Sequence, residues 1–107
     1  MIRHIVSFQL LATDPAQRRA HSRELRDRLV ALRDVDAGAV DLEVFFDLGE
    51  DEKHWPVILV STFADREALA RYQVHPRHRE AVAWMNDGVV GERAAVDYLL
   101  TPDVPTD

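Results

Sequence analysis

Odd and even positions separate cleanly over the first ten residues. Ile2, His4, Val6, Phe8 and Leu10 fall on one side and Arg3, Ile5, Ser7 and Gln9 on the other, the period of two expected of a half-buried strand. His4 shares the more apolar side. The stretch Thr13-Asp14-Pro15-Ala16-Gln17 then reads as a helix start, with Asp14 as N-cap, Pro15 at the first helical position and Gln17 three residues after the cap. The spacing of Leu25, Leu29 and Leu32 predicts a helix over about 15–33, with His21 one turn above Leu25 and arginine and glutamate on the other face. A turn over 34–39, DVDAGA, leads to a second alternating run, Val40, Leu42, Val44, Phe46 and Leu48 against Asp41, Glu43, Phe45 and Asp47.

The polar segment 49–56, GEDEKHWP, connects to VILVSTF at 57–63, a strand apolar on both faces over most of its length, which belongs in the middle of a sheet or beneath a second layer. Asp65 caps a helix carrying Leu69 and Tyr72, and Pro76 opens a further helical stretch to about residue 87. Gly88 and Gly91 are expected to break that stretch before a last strand at 93–100, RAAVDYLL. The tail 101–107, TPDVPTD, reads as frayed, so the ordered core of a single domain over 1–107 is expected at about 2–100. The order β-α-β-β-α-β is that of the ferredoxin-like α+β fold, one four-stranded antiparallel sheet with helices on one face. Ile5, Phe45, Ile58 and Val60 point away from those helices. A bare apolar face of that size calls for a partner, and a second copy related by a twofold axis is the simplest one.

Composition narrows the function classes. Of the 107 residues 47% are hydrophobic and 30% charged, as in ordinary globular proteins, and no apolar run approaches the roughly 20 residues that span a bilayer. The alternating N-terminus is unlike a signal peptide, and a cytoplasmic location is expected. With no cysteine there is no disulfide framework and no thiolate nucleophile. The net charge of −6 and the scatter of the arginines among acidic neighbours argue against a nucleic-acid partner.

The stretch RYQVHPRHREAVAW, 71–84, carries most of the candidate chemistry: Tyr72, His75 and His78 lie within seven positions, interrupted by Pro76. With the opening MIRHIVSFQL, the central VDLEVFFDLG, the run VSTFADREALARYQVHPRH and the closing AAVDYLL, the chain resembles the stress-responsive A/B-barrel (Dabb) domain family of the dimeric α+β barrel superfamily. The resemblance covers essentially the whole chain and implies a homodimer whose two sheets face one another. The family divides between stress-induced or small-ligand-binding proteins and enzymes. One branch looks like olivetolic acid cyclase, a cofactor-free polyketide cyclase in which a motif tyrosine and histidine close a polyketide by aldol condensation. By position those match Tyr72 and His78, and that branch's strand-one histidine matches His4. Phe45, Trp55 and Trp84 would give this chain its own lining, with His4, His75 and Trp84 as substrate contacts.

Two readings of the motif follow. In one, Pro76 ends a helix at His75 and starts another, which puts His78 in a first turn where the helix dipole keeps imidazole neutral, and Tyr72 and His78 form an acid–base pair acting on a carbonyl compound as a cyclase, lyase or isomerase. A cofactor-independent monooxygenase is the weaker enzymatic alternative. In the other, His75 caps the following helix, Tyr72 buries its ring, and the domain is a binding or stress protein holding a small apolar ligand. No cofactor is expected in either. His75 and His78 stand at a spacing that can pair metal ligands, but Pro76 intervenes and no third ligand is spaced to join them, so no metal site is expected. His21 and His54 read as surface residues.

Overall fold

A computed structural model describes residues 1–34 and 38–101. Strand β1 spans Ile2–Leu10, helix α1 Pro15–Val30, followed by a 3-10 turn at Ala31–Asp34, and β2 Ala39–Phe46. Strand β3 spans Val57–Phe63, α2 Arg66–Val74, α3 Pro76–Met85 and β4 Val90–Leu99. The strands form one antiparallel sheet in the order β2-β3-β1-β4. Strand β3 lies between β1 and β2, so those two run the same way with α1 crossing over between them, the expected ferredoxin-like arrangement. The tail expected to fray, 101–107, falls mostly outside the described residues, as does the middle of the turn at 34–39.

The helices cover one sheet face only. Burial along β1 alternates strictly, with Ile2, His4, Val6, Phe8 and Leu10 buried and the residues between them half-buried. The buried set packs with Leu25, Leu29 and Leu32 after the crossover, with Leu42, Val57, Leu59 and Phe63 of the inner strands, and with Leu69, Tyr72, Ala81 and Met85 of α2 and α3. Helix α1 starts as its sequence demands: the Asp14 carboxylate accepts from the Gln17 backbone N–H at 2.9 Å, and Pro15 needs no partner for the N–H it lacks.

Three expectations change in detail. The first helix tightens into a 3-10 turn after Val30, which still seats Leu32 in the core. The second strand ends at Phe46, leaving Leu48 almost fully exposed rather than in the sheet. Gly91 lies inside β4 instead of breaking the chain before it. A Cβ there would come within 2.5 Å of the Gln9 Oε1, which accepts from the Glu92 backbone N–H at a register shift between β1 and β4. Gly88, at φ +79°, makes the turn by itself.

Candidate functional site

Pro76 determines the geometry around the motif. It holds His75 extended, at φ −61° and ψ 137°, so α2 stops at Val74 and α3 starts at once in a new direction. In an unbroken helix, side chains six positions apart point about 120° away from each other and lie about 9 Å apart along the axis. The bend instead brings His78, in the first turn of α3, back onto Tyr72, with ring centroids 4.7 Å apart in an edge-on arrangement. The His75 Nδ1 accepts from the Arg77 backbone N–H at 3.1 Å and so caps α3.

Tyr72 shares the inward stripe of α2 with Ala68 and Leu69 and is wholly buried. Its ring lies 5.0 Å from that of Phe63 and 6.5 Å from that of His4, centroid to centroid. His4 reaches the same place from β1. It is only 6% exposed, and its Nδ1 donates to the Asp97 carboxylate at 2.5 Å. The sheet register places His4 directly opposite Asp97 on β4. Asp97 is thus the outer end of a row of polar side chains running inward through His4 to Tyr72 and His78. Its own side chain is 47% exposed, so the row begins at solvent.

Two polar atoms in this cluster are buried and make no hydrogen bond: the Tyr72 hydroxyl and the His78 Nδ1. Such groups are rare in native interiors and cost free energy, so each calls for an explanation. Burial pushes the Tyr72 hydroxyl well above the ordinary tyrosine range, so it remains a protonated donor. His78 is held below the ordinary histidine range, first by desolvation and then by its electrostatic interaction with the nearby His4 ring. The backbone of Gln73 opposes this, while Arg93 and His75 add to it more weakly. A donor that keeps its proton therefore stands beside a ring that stays neutral.

The cluster is closed at its centre, for the Tyr72 side chain has no exposed surface. Trp84 is half-buried against α1, its ring 6.5 Å from His21 and covered by the Arg28 guanidinium at 4.6 Å, rather than beside Tyr72. Phe45 faces the open side of the sheet, away from the cluster. Among the described residues no three histidine, aspartate or glutamate side chains gather as metal ligands. Asp97 was missed in the sequence, where it reads as a polar position of a strand. Pairing β1 with β4 in register would have found it, because Asp97 has the same parity as Ala95 and Leu99, on the face that His4 shares.

The stress responsive A/B barrel domain family matches this chain over residues 2–100, and the chain belongs to that family. Comparison with curated proteins returns no match. Among solved structures, a dimeric protein of unknown function from Bacteroides fragilis is similar at 24% identity, with 91% of this chain and 93% of that one covered and a TM-score of 0.80. A Dabb family protein from Mesorhizobium loti is 26% identical over 94% of this chain and 96% of that one, at a TM-score of 0.69. A hydroxynitrile lyase from Passiflora edulis is 14% identical over 97% and 96% of the two chains, at a TM-score of 0.76. The neighbours share the ferredoxin-like fold, and their names span proteins of unknown function and enzymes, so membership alone assigns no activity. Among the described residues no helix is long and apolar enough to cross a membrane.

Proposed function

We propose that this protein is a cytoplasmic homodimer joined through its sheet faces, and that each subunit carries a cofactor-free acid–base site for a small carbonyl compound. The observation that carries the reading is the pair of buried, unpartnered polar atoms on touching rings, Tyr72 and His78. In this reading the Tyr72 O–H donates to the substrate carbonyl oxygen, where negative charge develops. Neutral His78 takes the proton from the neighbouring carbon, leaving an enolate and an imidazolium. The enolate then either attacks a second carbonyl of the same substrate or is reprotonated at another carbon, and the imidazolium returns the proton. Asp97 fixes the His4 ring at the back of the site, as a carboxylate orients an imidazole elsewhere. The naming of one structural neighbour as a hydroxynitrile lyase is compatible with carbonyl chemistry on this fold.

The closed state of the cluster favours a second reading, a binding or stress-response domain in which Tyr72 packs and His75 only caps. Tyr72→Phe separates the two. The hydroxyl has no hydrogen bond to lose, so melting temperature should stay level or rise. Turnover of a panel of β-diketones and β-polyketones should fall by a factor of about 10² or more, and His78→Gln should behave alike. If the parent turns over none of them, or if both variants keep full rate, the acid–base reading fails and the binding reading stands.

A further inference from the structure

A concavity of about 490 Å³ lies between the first half of α1 and the end of β2, and it shares no residue with the Tyr72 cluster. Its size is within the roughly 300–1,000 Å³ of small-molecule sites. One wall is basic. Arg18 and Arg19 line it from one turn of α1 and Arg23 from the next, in a chain whose net charge is −6. Arg18 is half-buried and donates to the Ala12 carbonyl at 2.9 Å, while Arg19 and Arg23 are exposed and enter no ion pair with any described residue. The acidic lining residue, Asp47, already accepts from the Gly49 backbone N–H at 2.9 Å and faces the His54 Nδ1 at 3.2 Å.

The other wall is apolar, formed by Phe46, Pro56 and Pro15. Phe46 has the parity of Leu42 and Val44, the helix-covered side of β2, yet it is 44% exposed because the sheet runs on past the cover of α1. One side of its ring is taken by the Arg26 guanidinium, 5.7 Å from the centroid. A core-facing aromatic left bare beside three guanidinia, two of them unpaired, is complementary to one kind of molecule. Guanidinium forks match a carboxylate in geometry and charge, and the apolar wall suits a flat hydrophobic body.

We infer that this groove binds an organic carboxylate with a planar apolar body, at a site separate from the Tyr72 and His78 cluster. The groove lies on the helix side of the sheet, so pairing of the opposite faces in a dimer leaves it open.

The test is a titration of the ¹⁵N-labelled full chain with naphthalene-2-carboxylate, with naphthalene-2-methanol and acetate as controls. Amide shifts should centre on Arg19, Arg23, Phe46 and Gly49, and the carboxylate should bind at least about tenfold more tightly than the neutral alcohol or acetate, the worth of one charge-assisted contact or one buried ring face. Arg19→Gln with Arg23→Gln should weaken binding by a similar factor, and both side chains are exposed, so the spectrum away from the groove should be unchanged. Equal binding of the alcohol, equal binding of acetate, shifts centred on the open sheet face, or no binding at millimolar ligand would each overturn the inference. The comparison of the three ligands on the parent chain needs no variant.

Discussion

His78 is the residue whose environment makes the firmest claim on solution behaviour. The unfolded chain takes up its proton near the ordinary value of about 6.5, whereas desolvation and the interaction with His4 hold the folded ring below that. Below about pH 6.5 the unfolded state therefore binds more protons at this residue, so its contribution lowers stability as pH falls and is absent above that value. His78→Gln removes the contribution. Denaturant titrations at about pH 5 and about pH 8 should show a smaller acid-induced loss of stability in His78→Gln than in the parent. Equal losses would mean that the ring titrates as freely in the folded chain as in water. Trp84 illustrates the opposite case, a residue whose type suggests a ligand platform but whose neighbours, His21 and Arg28, make it part of the packing between α1 and α3.

At the scale of elements the decisive feature is the break between α2 and α3. Three things produce it: Pro76 excludes a helical His75, the His75 N–H closes α2 onto the Tyr72 carbonyl, and the His75 side chain caps α3. Histidine is not among the strongest N-cap residues, but its Nδ1 can accept as an aspartate or asparagine oxygen does. His75→Ala should therefore cost about 0.5–2 kcal/mol, and His75→Asn should recover most of it. The urea midpoint reports both. If alanine and asparagine variants unfold at the parent midpoint, Pro76 alone makes the break. The same bend that stabilises the helix start also turns His78 onto Tyr72, so turning the chain and building a site are one event here.

At the scale of the molecule, the proposed assembly rests on the sheet face turned away from the helices. Ile5, Phe45, Ile58 and Val60 meet there, as expected, and β4 adds Val96 and Tyr98, which are 59% and 40% exposed on the single chain. Apolar side chains from all four strands thus gather on one face, the kind of surface that a partner covers. Ile58→Asp places a carboxylate at its centre, costing several kcal/mol if buried there without a partner. Sedimentation at micromolar concentration should find the parent dimeric and Ile58→Asp monomeric or unfolded. A monomeric parent would refute the dimer.

Much of the fold could be read without coordinates, for local reasons. Strict alternation in β1, the Asp14 and Pro15 helix start, the doubly apolar β3 and the His-Pro break are properties of neighbouring residues, and each is where the sequence placed it. The family was likewise legible, since its motif lies in one short run. What tertiary structure alone decided is long-range. The partnership of His4 with Asp97 spans 93 positions and depends on strand register, which no local pattern contains. The closure over the Tyr72 hydroxyl depends on where α3 lands, and the bare Phe46 on where α1 stops covering the sheet. Gly91 read locally as a break, but it lies inside β4, where the Gln9 side chain reaches into the space a Cβ would take. Local sequence sets backbone preference and which face is apolar, whereas the distances that make a site follow only once the strands have paired and the helices have packed.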